Sequence, residues 1–383
     1  MAIVNITING KKLQAQPGQT ILEAAKAGGI RIPTLCHHPS LPPEAACRVC
    51  VVDIEKQRSL QPACTFPVSE GIVVHTDSPR IREARRFVLE LLLSDHPKDC
   101  MTCEMCGACE LQDLAYEYGI KQTPFVGEQH RYGLDERDPF IQRDLEKCIL
   151  CRRCVRACSE IQVVDAIGII YRGFRSKVAT AFDTRLQDSV CIFCGQCVSV
   201  CPTGALTEKD SQGLGRAWQT TKVVTTCPYC GVGCNFDLNV RDGRVVKVTS
   251  NWEAPVNKGV LCVKGRFGWQ FLHSPDRLTK PLVRRDLAEK LGLVGEAGTE
   301  EIRESGNQAA VGNRQPADDF VPVSWDTALD LVASKLSATR AAYGPDAIGF
   351  LASAKCTNEE NYLMQKLTRQ VMGTHNIDHC ARL

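Results

Sequence analysis

Two runs of cysteine share one spacing: Cys148, Cys151, Cys154 and Cys158, then Cys191, Cys194, Cys197 and Cys201, each C-x2-C-x2-C-x3-C, with Pro202 closing the second. Thiolates at this spacing hold 4Fe-4S clusters, and where two such runs occur the fourth cysteine of each ligates the other run's cluster. The expected sets are therefore Cys148, Cys151, Cys154 and Cys201 around one cluster, and Cys191, Cys194, Cys197 and Cys158 around another. Ser159 stands where the first run would carry its proline. Repetition of one spacing argues against zinc.

Three more groups flank these. Cys36, Cys47, Cys50 and Cys64 are spaced C-x10-C-x2-C-x13-C. Four thiolates from one loop region suit a 2Fe-2S cluster, with zinc as the competing reading. The stretch HPKDCMTCEMCGAC offers two ligand sets. One is Cys100, Cys103, Cys106 and Cys109; the other is His96, Cys100, Cys103 and Cys109, with Cys106 spare. A neutral imidazole is a legitimate ligand for cluster iron, a lone histidine beside proline is an ordinary surface residue, and spacing does not choose between them. Cys227, Cys230 and Cys234 in CPYCGVGC, with Cys262 in GVLCVKGRFG, make a fifth set, whose glycines let backbone approach a cluster and whose count zinc also fits.

Small elements must position these groups. Alternation on either side of Asn9-Gly10 predicts a tight hairpin, and Thr20 with Glu23 predicts a capping box opening a helix that Gly28 and Gly29 close. VCVVDI reads as a strand beside the first cysteine set. Residues 78–94 predict a helix with Ser78 as N-cap, Pro79 in the first turn, and Ile81, Ala84, Val88 and Leu91 along one face. FDLNVRDGRVVKV reads as a hairpin through Asp242-Gly243 that returns Cys262 toward its partners. From Trp325 the pattern becomes helix, strand, helix, an α/β unit whose ligands belong at the strand ends, at Ala354–Asn358 and near NIDHCARL. The polar stretch 286–318 reads as an insertion or loop.

Composition narrows the compartment and partners. The chain has 383 residues, 44% apolar content, a net charge of +2 and 22 cysteines. That charge leaves no footprint for nucleic acid, and the longest apolar runs, such as FVLELLL, fall short of the roughly 20 residues a membrane span needs. MAIVNITING alternates like a strand and lacks the pattern of a secretory signal, so a reducing, cytoplasmic setting with metal-bound thiols is expected.

With these residues in view, a family resemblance covers the whole chain. The order of motifs through residue 201 resembles the large subunit of respiratory complex I and the N-terminal part of iron-only hydrogenases. That resemblance implies H-x3-C-x2-C-x5-C, selecting His96, Cys100, Cys103 and Cys109 and leaving Cys106 unexplained. From Cys227 onward the chain resembles molybdenum- or tungsten-containing bis-pterin oxidoreductases, and CTNEENYLMQK with NIDHCAR is similar to cytoplasmic NAD-linked formate dehydrogenases, nitrate reductases being the neighbouring family. The implied fold is a multidomain α+β chain. Residues 1–77 would be a ferredoxin-like 2Fe-2S (β-grasp) domain, 78–138 a His/Cys-ligated 4Fe-4S domain and 139–219 a two-4Fe-4S ferredoxin domain. Residues 220–285 would be the 4Fe-4S molybdopterin-oxidoreductase domain and 319–383 the start of an α/β pterin-binding body.

The resemblance also implies cofactors, partners and roles. The implied cofactors are one 2Fe-2S cluster, four 4Fe-4S clusters and a molybdenum or tungsten bis-molybdopterin guanine dinucleotide. The implied reaction interconverts formate and carbon dioxide. The implied electron partner is a flavin- and NAD-binding subunit, or else ferredoxin or hydrogenase subunits. Lys264, two residues after Cys262, would lie between cluster and pterin, a solvated surface lysine being the ordinary alternative. Cys356 and Cys380 would be unligated. Formate dehydrogenases of this kind carry their catalytic cysteine or selenocysteine just after a Cys-Ala-Arg-apolar lead-in, which Cys380 to Leu383 match, so the catalytic residue is expected immediately after Leu383 and none within the chain. The alternatives are a complex I or hydrogenase relative, and an electron-transfer module without chemistry of its own. Cys227 to Cys262 and CTNEENY weigh against the former, as does the lack of hydrogenase active-site cysteines after Cys201.

Overall fold

A computed structural model of the chain describes residues 3–293 and 319–380. By internal contacts the chain divides into two compact units, one made of Met1–Val223, Leu238–Ser250 and Val260–Arg266, the other of Val224–Asp237, Asn251–Gly259 and Phe267–Leu383. Among the described residues no helix is long and apolar enough to cross a membrane.

In the first unit, β1 (Val4–Ile8) and β2 (Lys11–Ala15) pair antiparallel across Asn9 and Gly10, whose φ angles of 52° and 79° give the left-handed turn the hairpin needs. Helix α1 (Ile21–Ala27) opens on the expected capping box between Thr20 and Glu23. Strands β3 (Val51–Ile54), β4 (Gln61–Pro62) and β5 (Val73–His75) complete a five-stranded sheet of order β2-β1-β5-β3-β4, in which β5 runs parallel to β1. Inward residues Ile6, Ile8, Val52, Ile54 and Val74 pack on Ile21, Leu22 and Ala25 of α1, the β-grasp arrangement expected.

Helix α2 (Pro79–Asp95) is capped by Ser78 as predicted, but its buried stripe differs. It runs through Ile81, Arg85 and Leu89, while Leu91 is 43% exposed. Arg85 goes inward because its guanidinium donates to the Val51 carbonyl at 2.8 Å and to the Tyr118 hydroxyl at 3.2 Å, just past α3 (Glu110–Glu117). The elements that follow are short: β6 (Leu134–Asp135), β7 (Ile141–Asp144), α4 (Arg153–Arg156), β8 (Gly168–Ile170), β9 (Lys177–Ala179), α5 (Gln196–Ser199) and β10 (Leu206–Glu208). Strand β7 lies between β10 and β6, and β8 pairs with β9. After β11 (Thr221–Thr226), β12 (Asn235–Arg241) turns into β13 (Arg244–Ser250) through Asp242 and Gly243, both left-handed. Helix α6 (Val263–Phe267) follows Cys262 directly.

The second unit has the expected alternation. Strand β14 (Leu282–Arg284) leads into α7 (Arg285–Lys290) and pairs antiparallel with β15 (Phe320–Pro322). The polar stretch from 286 therefore begins as helix and is bracketed by paired strands. Its remainder, 294–318, lies outside the described residues, as do Ala381, Arg382 and Leu383 of the expected lead-in. Helix α8 (Trp325–Tyr343), strand β16 (Phe350–Ser353), helix α9 (Asn358–Lys366) and strand β17 (Ile377–Cys380) follow, with β17 parallel to β16.

Candidate metal centres

The first set gathers in the loop between α1 and β3, with Cys64 following β4. Ala45 and Arg48, on either side of Cys47, take left-handed φ of 55° and 58°, strain that bends the loop inward. The thiol of Cys36 hydrogen-bonds with those of Cys47 and Cys64, and Cys64 with Cys50. The Cys47 bond above all, then that of Cys64, holds Cys36 down at about 2. The same bonds, through Cys36 first, push Cys47 and Cys64 up. Thiols linked in this way are soft donors of the kind that iron–sulfur clusters and zinc both take.

The second set spans the end of α2 and the start of α3. Burial pushes Cys109 up to about 11 and also raises Cys103, and Cys100 acts on both. His96 Nδ1 is buried with no hydrogen-bond partner, and burial lowers this imidazole's pKa, which favours the neutral ring a metal requires. Cys106 instead accepts a hydrogen bond from Gln112 Nε2 at 3.6 Å. Gly204 is required here: a Cβ on it would stand 2.5 Å from Cys103 Sγ.

The two repeated runs fold alike. Leu150 and Arg152 in one, and Phe193 and Gly195 in the other, adopt left-handed φ at matching positions. Matching amides, Leu150 N–H and Phe193 N–H, each donate at 3.4 Å to the first thiol of their run, Cys148 and Cys191. The structure groups the thiols crosswise. Cys148, Cys151, Cys154 and Cys201 line one cavity with Leu145, Ile149 and Val178. Burial pushes Cys148 and Cys151 up to about 12, with Cys201 adding to it. In the other group, burial raises Cys191, Cys194 and Cys197, and Cys158 acts on all three. Thiols this reluctant to ionise in a dry site become thiolates when a metal supplies the compensating charge.

Buried cations join these groups, a feature spacing alone did not flag. Arg156, between Cys154 and Cys158, donates to the carbonyl of Cys36 at 2.5 Å and to that of Pro42. Arg153 pairs with Glu110 at 2.5 and 2.7 Å, while the Glu110 amide donates to the Pro202 carbonyl at 3.0 Å. Lys147 bridges Asp99 and Asp144, each at 2.8 Å. Thus the group around Cys148 adjoins both the first and second sets. The readable signal was CRRCVRAC, whose charged residues lie between ligands and so cannot all face water.

The fifth set is divided. Cys262, at the start of α6, belongs to the first unit and is exposed, as is Lys264. Cys227, Cys230 and Cys234 belong to the second, where the Cys227 amide closes their loop on the Cys234 carbonyl at 2.8 Å. This loop abuts the end of β16: Asn358 Nδ2 donates to the Gly231 carbonyl at 2.7 Å, and a Cβ on Gly231 would meet Asn358 Oδ1 at 2.8 Å. The cysteine loop and Ala354–Asn358 are thereby brought together within one unit.

Family models match the chain in succession. They are a 2Fe-2S iron-sulfur cluster binding domain over residues 2–79, the NADH-ubiquinone oxidoreductase-G iron-sulfur binding region over 85–124 and the NADH-quinone oxidoreductase subunit 3 ferredoxin-like domain over 138–207. The molybdopterin oxidoreductase Fe4S4 domain matches 220–274, and molybdopterin oxidoreductase matches 277–383. Models of molybdopterin oxidoreductases thus match behind models of NADH-dehydrogenase-type iron–sulfur regions. Among similar proteins, an NADH-quinone oxidoreductase subunit of Rhizobium meliloti is 37% identical over 99% of this chain and 40% of its own length. The NADPH-Fe(3+) oxidoreductase subunit alpha of Geobacter sulfurreducens is 37% identical over 100% of this chain and 40% of its own. A provisionally named formate dehydrogenase of Staphylococcus aureus is 32% identical over 98% of this chain and 39% of its own. The chain thus spans about two-fifths of the length of these curated relatives. A solved NAD+-reducing [NiFe]-hydrogenase is similar with a TM-score of 0.52 and 34% identity, over 55% of this chain and 90% of that one.

Proposed function

We propose that this chain is the iron–sulfur and pterin-entry portion of a formate dehydrogenase catalytic subunit. The observation that carries the reading is the set of thiol groups within one chain, followed by residues 277–383, which match molybdopterin oxidoreductase. Ligands to a 2Fe-2S cluster would be Cys36, Cys47, Cys50 and Cys64. Ligands to four 4Fe-4S clusters would be His96 with Cys100, Cys103 and Cys109; Cys148, Cys151 and Cys154 with Cys201; Cys191, Cys194 and Cys197 with Cys158; and Cys227, Cys230 and Cys234 with Cys262. Lys264, two residues beyond Cys262, is the residue proposed to face the pterin. When bound, the clusters supply one-electron steps and the molybdenum or tungsten pterin the two-electron chemistry of formate. The chain's own part is to exclude water around the thiols, to hold their loops with buried arginines, and to set the Cys227–Cys234 loop against the carboxyl end of β16. The electron partner proposed is a flavin- and NAD-binding subunit in the cytoplasm, supported by the likeness to an NAD+-reducing hydrogenase.

A second reading, an electron-transfer subunit serving another donor, is favoured by the relatives named for NADH-quinone and NADPH-Fe(3+) oxidoreduction. Anaerobic reduction of the full-length protein separates the two. Formate should bleach the cluster absorbance of protein that contains molybdenum or tungsten. Bleaching by NADH or NADPH alone, with formate inert, would establish the second reading. For the second set, His96→Ala should remove one reduced-cluster paramagnetic signal and Cys106→Ser should leave it; the opposite pattern would restore the all-thiolate set.

A further inference from the structure

Arg266 is 1% exposed in the interior of the first unit. Its Nη2 donates to Gln196 Oε1 at 3.0 Å and to Ser250 Oγ at 2.7 Å, both neutral acceptors, and its Nε is buried without a partner. Gln196 opens α5 between Cys194 and Cys197, so the guanidinium is tied to the helix that carries Cys197. The Arg266 amide donates to the Cys262 carbonyl at 3.0 Å. Glu208, 2% exposed, has both carboxylate oxygens buried and unpartnered. Burial lowers the guanidinium's pKa, and Glu208, Cys194 and Cys197 oppose that shift.

A guanidinium keeps its charge, and a buried charge is costly unless an anion compensates it. A cluster held by four thiolates is such an anion, and each electron it accepts makes it more negative. Nearby charge is among the levers that set cluster potentials. We propose that Arg266 is the counter-ion of the cluster held by Cys158, Cys191, Cys194 and Cys197, and that it raises that cluster's reduction potential. The proposal rests on the ligand assignment of the preceding section. Gln196 and Ser250 hold the guanidinium in place, and Arg266 is a tuning residue, not a ligand.

The test is a redox titration of the full-length protein followed by electron paramagnetic resonance, tracking the signal that Cys191→Ser abolishes. At fixed ambient potential Arg266→Gln should lower the reduced-to-oxidised ratio of that cluster by about tenfold, about 59 mV for a one-electron couple. Gln196→Glu sets a carboxylate against the guanidinium and should shift the ratio in the same direction. Arg266→Lys should stay within about threefold of the parent, because it keeps the charge. Should Arg266→Gln lose the cluster, Gln196→Glu decides. Unchanged potentials in Gln196→Glu and in any cluster-bearing Arg266→Gln overturn the proposal. So does loss of the signal in all three variants, which would make Arg266 structural. If Cys191→Ser abolishes no signal while Arg266 is intact, the ligand assignment has failed and the proposal falls with it.

Discussion

The sheet domain over residues 4–75 and the paired-run region over 138–207 both gather four-thiol sets, yet they are built in opposite ways. The first has an apolar core of its own, with Ile6, Ile8, Ile21, Val52, Ile54 and Val74 packed between sheet and helix, and two of its cysteines, Cys50 and Cys64, are part of that core. The second has the four-residue α5, the short α4 running on as a π-helical turn to Ile161, and strands of three or four residues, and burial dominates the pKa shifts of its thiols. Helices that short are unstable alone. In one region the fold makes the site; in the other the site must help make the fold, because metal binding is then folding free energy.

The largest expected effect follows directly. Anaerobic iron removal from the full-length protein should strip hydrogen-exchange protection from residues 138–207 while β1, β2, β3 and β5 keep theirs. Equal loss in both regions would erase the distinction. Next, Cys201→Ser should abolish the signal of the Cys148 group and loosen 138–207, leaving the Cys191 group's signal in place. Loss of the Cys191 signal instead would mean that the runs are not crossed. Smaller still, Ile8→Ala should destabilise the sheet domain by about 2–5 kcal/mol in urea unfolding, with the cluster signals of 138–207 unaltered. Thr20→Ala, which removes the capping box, should cost α1 about 1 kcal/mol, seen as faster exchange of its first-turn amides.

Much of this was legible in the sequence where a local rule governs. Asn9-Gly10, the Thr20/Glu23 box, Ser78 and the helix–strand–helix order after Trp325 each act over a few residues, and each forms as read. The repeated spacing is also what leads to an expected crossed pairing, and Cys201 does share one cavity with Cys148, Cys151 and Cys154. The buried arginines were not, since their partners are main-chain carbonyls or residues far along the chain, such as Cys36 for Arg156 and Gln196 for Arg266. The stripe of α2 was misplaced for the same reason: periodicity counts Leu91 as apolar and Arg85 as polar, but Val51 and Tyr118 supply acceptors that make Arg85 the inward residue.

Iron and acid-labile sulfide analysis of anaerobically reconstituted full-length protein counts the clusters proposed for these thiols and His96. One 2Fe-2S and four 4Fe-4S clusters predict about eighteen irons and as many sulfides per chain. A clearly lower iron content, or zinc in place of iron at any set, would contradict that proposal.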